Sequence, residues 1–580
     1  MMKMFWLQRK HPSKLKAFSD FVATRKRALE PPEIPAKQAK ISDVIALGAN
    51  KRVPQAKVDK LMINFICEGL HPFSLVEQPA FKELVLALNP QCKVISRPTL
   101  RTRIDEAATQ MKKTLLSHLS KVSYVATNTD CWTAHQQSFI GVTAHWIDEE
   151  TLERRSAALA CQRLKGSHTF DVLAGTLDDI HCQYRIRGKV VRTTTDSGSN
   201  FIKAFIVFGE QSQTGDAESE SDQDSSEEPT ADYLDTFGIL EQDSGLEYQL
   251  PPHQRCACHL LNLVATKDAA LAEKNNDTYK RLSQAAFGKC QAMWNKTGRS
   301  YMAAEIVEDK CKLQLIRPNQ TRWNSTYMAV ERIIRIIQDK GEDAIRNVCE
   351  EFKVKMLSPA EIVFLTEYCT VMKPVVKALN ILQSETNTHM GWLLPVIFQL
   401  QEKLSRLETS SKMCLPLIRA VQDGVQKRFD GMMQDPELIA AAILLPKFKN
   451  TWTERAEIIE AGLVYVRRHL DQMAEATVEQ VGQHSSDEED FFSSMKSRRS
   501  QGTGELDGYL ACISNKMDLL NSFPHIKNLS LKLNTGLPAS AACERLFSCA
   551  GLLFTAKRAR MNSTNFENQL LLKLNKKFIV

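Results

Sequence analysis

Two strand-like runs, each delivering an aspartate, constrain this chain more than any other feature. Tyr124 to Thr129 reads as a strand ending in Asp130, and Val190 to Thr195 as a strand ending in Asp196. Phe139 to Ile147, rich in β-branched and aromatic residues, predicts a further strand, and Ser156 to Gln162 another. His168 to Ile180 predicts a helix, and Ser197-Gly198-Ser199-Asn200 a turn into a helix through Ala204. Strands alternating with helices predict an α/β sheet, and the carboxyl ends of its strands are where such sheets build sites. A single aspartate there is most often a helix cap. A pair, each followed by a turn, points to shared chemistry that needs a third carboxylate.

That third group comes from the far end, in Ser540-Ala541-Ala542-Cys543-Glu544-Arg545-Leu546-Phe547-Ser548, continuing through Gly551 to Lys557-Arg558-Ala559-Arg560. Ala542, Leu546, Ala550 and Leu553 recur at helical spacing, so Ser540 or a neighbour caps an amphipathic helix. Glu544 and Arg545 are its conspicuous polar residues. The plain alternative for Glu544 is an ordinary surface carboxylate.

At 580 residues the chain is too long for one ordinary domain, and a hydrophobic content of 43% suffices for proper cores. No apolar run reaches membrane-spanning length, and the N-terminus lacks a signal-peptide core, so no membrane partner is expected. Fifteen cysteines scattered singly fit reduced thiols in the cytosol or nucleus. The net charge of +7 is uneven: no Lys or Arg lies between Lys203 and Arg255, so the rest is markedly basic. That favours a polyanionic partner.

Met1 to about Asn50 reads as flexible and basic, with Arg25-Lys26-Arg27 a candidate nuclear import signal. Val58, Leu61, Met62, Phe65 and Ile66 predict a buried helix stripe, Phe81-Leu84-Val85-Leu88 another helix, and Ser96-Arg97-Pro98-Thr99 the start of a third. The third carries Arg101 and Arg103, whose spacing allows phosphate contacts, although such modules are more often plain packing units. Gln211 to about Tyr248 is acidic, Ser-rich and poor in apolar residues, an expected disordered insertion. Arg255 to Leu263 restores a helix. Its Cys256, Cys258 and His259 invite a zinc reading, but no second ligand pair follows. Asp268 to about Arg468 is helical, interrupted at Thr321-Arg322-Trp323-Asn324-Ser325. A Trp there is usually core, yet a Trp beside an Arg can stack on an unpaired base. Ser485 to Glu489 and Ser497 to Gly504 mark a linker, and Phe566, Leu570, Leu574 and Phe578 follow at four-residue spacing.

Together these residues resemble a transposase of the hAT superfamily (hobo, Activator and Tam elements), in its vertebrate form related to BED-type zinc-finger proteins. The resemblance rests on Thr129-Asp130-Cys131-Trp132-Thr133, Thr195-Asp196-Ser197-Gly198-Ser199-Asn200, Cys256 to His259, Thr321-Arg322-Trp323-Asn324 and Ala541 to Gly551, in the family's order. It implies an α/β plus all-α fold: a ribonuclease-H-like domain interrupted by a long helical insertion and completed by a C-terminal dimerisation segment. The implied layout is a basic N-terminus with a BED remnant over residues 1–50 and a helical DNA-binding module over 51–110. The ribonuclease-H-like part spans 121–265, with its acidic insertion at 211–248. A helical insertion spans 266–480, a linker 481–504, and the dimerisation region 505–580.

The resemblance also implies roles. Asp130, Asp196 and Glu544 match an Asp-Asp-Glu triad that would hold Mg²⁺ or Mn²⁺, hard cations that take oxygen ligands. Cys256 and His259 match a Cys-x-x-His motif, and Arg322 with Trp323 an Arg-Trp pair near a flipped base. DNA and a second copy of the chain, as homodimer or higher homo-oligomer, are the implied partners, with Leu546, Phe547, Phe566, Leu570 and Leu574 in the dimerisation region. The nucleus is the implied location. Two departures stand out. Only Trp6-Leu7-Gln8-Arg9-Lys10-His11-Pro12 resembles the end of a BED finger and no Cys precedes Cys67, which leaves zinc doubtful as a cofactor. Leu445 stands where relatives carry Asp before Pro446. A host-retained DNA-binding regulator and an active metal-dependent transposase are therefore both expected readings, beside that of an inactive relic.

Overall fold

The computed structural model describes residues 53–166, 168–209, 249–319, 323–481, 501–558 and 561–579. The expectations for residues 1–50, including the BED remnant and Arg25-Lys26-Arg27, and for the acidic stretch 211–248 lie outside the described residues. So do Thr321, Arg322 and most of the 481–504 linker.

The architecture is mixed α/β, mostly helical, around one small mixed sheet. Its strands are β1 (Val125–Ala134), β2 (Gln137–Ile147), β3 (Arg154–Leu164), β4 (Val190–Thr195) and β5 (His253–Arg255), in the order β3-β2-β1-β4-β5. β1, β2 and β3 form an antiparallel meander, whereas β4 and β5 run parallel to β1. β1 is longer than the sequence predicts. Ala134 still pairs with Gln137 across a two-residue turn, in which His135 and Gln136 take φ of 48° and 60°. Positive φ at both positions matches the twist of a tight hairpin, so pairing continues past Asp130, which sits within the strand rather than at its end. β5 was not legible: three residues ahead of a helix are too short to show a period.

Between β3 and β4 the Phe170–Gln183 helix covers the sheet, burying Leu173, Leu177 and Ile180. The Ser199–Phe208 helix follows β4. From Ala257 to Asn534 every described element is helical. Within this block the buried Arg428 guanidinium grips Asp268, and Ser358 and Glu361 close a capping box that also holds Lys289 at 2.7 Å.

By contact, the chain divides into residues 1–62 with 85–93 and residues 63–84 with 94–580. In the first unit the Gln55 amide clasps the backbone of Lys93, accepting from its N–H at 2.9 Å and donating to its carbonyl at 2.8 Å. The predicted stripe is only part-covered: Leu61 is 55% and Phe65 52% exposed. Likewise no residue of the Pro79–Leu88 helix is buried, and Leu84 and Leu88 face solvent. The Arg97–Ser120 helix is conventional, with Ser96 accepting from the Thr99 N–H and Leu100, Ile104, Ala108, Met111, Leu115 and Leu119 buried.

The chain's end packs on the sheet. Leu546, Phe547, Phe566 and Leu570 are buried and Leu574 is half-buried. Phe566 lies 5.1 Å from Phe139 and 5.5 Å from Phe554, ring centre to ring centre. Four of the five residues assigned to dimerisation are thus covered by their own chain. A charge at Leu570 disturbs the fold before it reports on any partner.

Acid sensitivity follows from buried imidazoles. Burial pushes His181 from 6.5 down to about 4 and His253 down to about 3. The unfolded chain binds those protons first, so stability is intact above about 6.5 and lost as pH falls towards 4. For His181 alone the loss approaches about 3 kcal/mol, at about 1.4 kcal/mol per pKa unit. Thermal midpoints measured from pH 7 to 4.5 should fall, and His181→Gln should flatten the fall. An unchanged slope in the variant would remove His181 from the cause.

Candidate functional site

The parallel pairing of β1 with β4 brings the aspartates together. Thr129 registers with Thr195, so Asp130 and Asp196 are the next residues on adjacent, co-directional strands. The polar strand interiors support this register. Thr127, Asn128 and Thr129 on β1 and Thr193, Thr194 and Thr195 on β4 are all at most 1% exposed. An unpaired buried hydroxyl or amide costs about 1–3 kcal/mol, and most of these find partners, whereas the Thr129 hydroxyl and the Asn128 amide oxygen are buried without one. The Thr127 and Thr193 hydroxyls bond each other across the strands at 2.8 Å, and the Thr195 hydroxyl meets His253 Nε2 at 2.8 Å.

Two further side chains reach out of the sheet. The Asn128 amide donates to the Ala539 carbonyl at 2.9 Å, and the Thr194 hydroxyl to the Leu537 carbonyl at 2.8 Å. The Ala257 N–H donates to the Pro538 carbonyl at 2.8 Å, and the Ser540 N–H to the Cys256 thiol sulfur at 3.3 Å. Residues 537–540 are thereby fixed over the strand ends from three elements, and they lead directly into the Ala541–Leu553 helix that carries Glu544. That helix approaches β2 closely. A Cβ at Gly141 would lie 2.6 Å from the Phe547 ring, and Phe547 also stacks on Trp132 at 5.7 Å. The Cys543 thiol donates to the Asn128 carbonyl at 3.2 Å. On the outer side Arg545 binds Glu385 and the Gln383 carbonyl, tying the helix to the segment that follows the Pro359–Leu382 helix.

The electrostatics single out Asp130. It is half-buried, and loss of solvent followed by the Asp196 carboxylate pushes its carboxyl up to about 8. Cys256 and Glu544 add to the rise, while the Cys131 N–H bonded to Oδ1 at 2.7 Å opposes it. Asp196 instead accepts from the Gly198 N–H at 3.1 Å in the turn after β4. Cys256 is held down to about 7, because the Cys258 thiol and Ser540 donate to it. Such a carboxylate pair offers hard oxygen donors and a mutual repulsion that a divalent cation relieves.

The sequence-singled residues fall into three groups. Asp130, Asp196, Cys256 and, at longer range, the exposed Glu544 meet in one electrostatic environment. Among the described residues no three His, Cys, Asp or Glu side chains are gathered closely enough to hold a metal ion, the triad and the Cys256, Cys258, His259 group included. Arg101 and Arg103 are exposed on the Arg97–Ser120 helix, Arg103 bonding Glu106 at 2.9 Å, and neither acts on Asp130. Trp323 opens the Trp323–Lys340 helix. The residues missed are Asn128, Thr194 and Gly141, which place the helix bearing Glu544. Their signal was present: threonines and an asparagine in the interior of two strands next to Asp are too polar for a purely apolar sheet core.

No known family model matches the chain. It is 29% identical over 287 residues to the "Putative AC9 transposase" of Zea mays, covering 48% of this chain and 30% of that protein. It is 30% identical over 148 residues to the "Putative transcriptional regulator tpeD" of Talaromyces stipitatus, covering 24% and 17%. It is 20% identical over 445 residues to the human "Zinc finger BED domain-containing protein 4", covering 74% and 34%. The chain thus spans about a third or less of the length of these relatives. The resemblance to hAT transposases and BED-type proteins read from the motifs recurs in these matches.

Asp130 carries a testable cost. Its folded carboxyl is raised above its unfolded value of 3.8, so stability falls as pH rises from about 4 to about 8. Asp130→Asn should therefore stabilise the protein at pH 7.5 by at least about 1 kcal/mol, from the one-unit equivalence of about 1.4 kcal/mol. Denaturant titration checks this. A destabilised variant would mean that the pair is not repulsive.

Proposed function

We propose that this chain is a transposase-derived, nuclear DNA-binding protein that self-associates and retains the carboxylate centre of a phosphodiester-cutting domain. The observation that carries this is the pair Asp130 and Asp196, aligned by the parallel interior strands β1 and β4 and mutually repulsive. The strand order, with an antiparallel meander beside two parallel strands, supports a ribonuclease-H-like reading of the sheet. Within that reading residues 266–480 are the helical insertion, and 505–580 complete the domain and contribute to dimerisation. The part over 51–110 is the DNA-binding module. The hAT transposase and BED-type relatives support DNA as the partner and the nucleus as the location.

In this account Asp130 and Asp196 would hold a divalent cation, Mg²⁺ or Mn²⁺, with Glu544 joining from its exposed helix position. When bound, such a cation polarises a phosphodiester and lowers the pKa of a ligating water. The protein's own contribution is placement. Residues 537–540 are fixed by Asn128, Thr194, Ala257 and Cys256, which sets where Glu544 emerges; Arg545, held by Glu385, sets the helix's rotation. The nearby Cys256 and His259, and Arg322 with Trp323, are assigned to the DNA strand, as are Arg101 and Arg103.

A second reading, an active transposase that cuts and joins DNA at element ends, is favoured by the same raised carboxyl of Asp130, since a cation-dependent centre accounts for a repulsive pair. One assay separates the two. Purified protein is given labelled DNA duplexes and hairpins with Mg²⁺ or Mn²⁺, beside Asp196→Asn and Glu544→Gln. Cleavage lost in both variants, with binding retained, establishes the enzyme. Binding that weakens steeply with salt, without cleavage, establishes the DNA-binding reading. No salt-sensitive binding to any DNA contradicts both.

A further inference from the structure

A second site lies where the start of β3 meets the helical block. A cavity of about 460 Å³ opens there, with Arg154, His389, Trp392 and Lys447 in its wall. Arg154 is an unusual cation. Its Nη1 donates to the Thr535 carbonyl at 2.7 Å and its Nη2 to the Asn534 carbonyl at 2.6 Å and to His389 Nδ1 at 3.0 Å. All of these partners are neutral. The Arg154 Nε is buried with no acceptor, and among the described residues no ion pair involves Arg154 or Lys447. The nearby Glu385 carboxylate is taken by Arg545, and Glu153, the carboxylate in the cavity wall, pairs with Arg155 at 3.0 Å.

A guanidinium bonded only to neutral groups keeps its full charge; the C-terminal carbonyls of the Pro524–Asn534 helix that it binds ease that charge in part, and an anion would compensate it further. Burial lowers its pKa to about 9. Lys447 supplies a second positive charge at the mouth, its ammonium 4.4 Å above the Trp392 ring. Asn387 and Asn515 add neutral donors to the same wall. Two cations with no ion pair among the described residues, amide side chains and an aromatic wall form the recognition set of a phosphate joined to a larger body.

We infer that this cavity binds a phosphate group, either a backbone phosphate of a DNA strand or that of a free phosphorylated compound. The site stands apart from Asp130 and Asp196 and does not depend on strand cleavage. The probe is pyrophosphate at constant ionic strength, with chloride as control, read by the thermal midpoint of the full chain. The midpoint should rise saturably, Lys447→Gln should need several-fold more pyrophosphate, on the order of one lost charge-assisted contact, and Arg154→Gln should lose the effect. Because Arg154 also stitches Asn534 and Thr535, the exposed Lys447 variant decides if Arg154→Gln does not fold. No saturable rise, or an identical curve in Lys447→Gln, overturns the inference.

The source is read by anisotropy with a labelled single strand. Competition by pyrophosphate, with Lys447→Gln reducing the slope of log affinity against log salt by about one, assigns a backbone phosphate. DNA binding indifferent to both, beside the pyrophosphate response, assigns a free phosphorylated compound.

Discussion

Everything at the candidate site depends on β1 and β4 running parallel as neighbours. That pairing aligns Thr129 with Thr195 and makes Asp130 and Asp196 adjacent. It also turns Asn128 and Thr194 towards residues 537–540, which lead into the helix that carries Glu544. Parallel neighbours need a crossover, supplied here by β2, β3 and the Phe170–Gln183 helix. The carboxylates therefore come from elements roughly 65 and 350 residues apart and come within electrostatic reach of one another only in the folded chain. The repulsion within the pair is a stability cost that the rest of the fold must offset, and perturbed, mutually repulsive carboxylates of this kind cluster at functional sites.

The C-terminal helix is the second constraint. Gly141 admits Phe547 because it has no Cβ, Trp132 and Phe554 enclose the same aromatic cluster, and the Cys543 thiol bonds the β1 backbone. Glu544 and Arg545 are left on the outer face as its polar residues, one towards the carboxylates and the other holding Glu385. The sheet and the helical block thus share one fixed helix. Rotation of that helix would move Glu544, so packing far from the carboxylates governs the geometry between them.

Much of this was legible in the chain itself. Strand-like runs, β-branched in three cases and alternating with helical patterns, located four of the five strands, helical periods located the Ala541–Leu553 helix, and the two Thr-Asp junctions marked the candidate site. What was not legible has physical reasons. β5 is three residues long and gains its strand character only from pairing with β4. The extent of β1 past Asp130 depends on two non-glycine residues accepting positive φ in its hairpin. Leu61, Phe65, Leu84 and Leu88 have helical spacing but stay exposed, because periodicity reports a face and not what covers it. Conversely Leu546, Phe547, Phe566 and Leu570, assigned to the dimerisation region, are buried within their own chain, Phe547 on Trp132 and Phe566 near Phe139. The cavity at Arg154 left no motif at all, being assembled from loops that sequence patterns do not join.

The central claim is that Asp130 and Asp196 form one cation-accepting pair. Its most direct measurement is a titration of the apo-protein with Mn²⁺, followed by electron paramagnetic resonance of the free ion, in wild type and Asp196→Asn. The account predicts saturable uptake in the wild type that the variant loses without loss of fold. Equal uptake by both proteins, or none by the wild type, would contradict it.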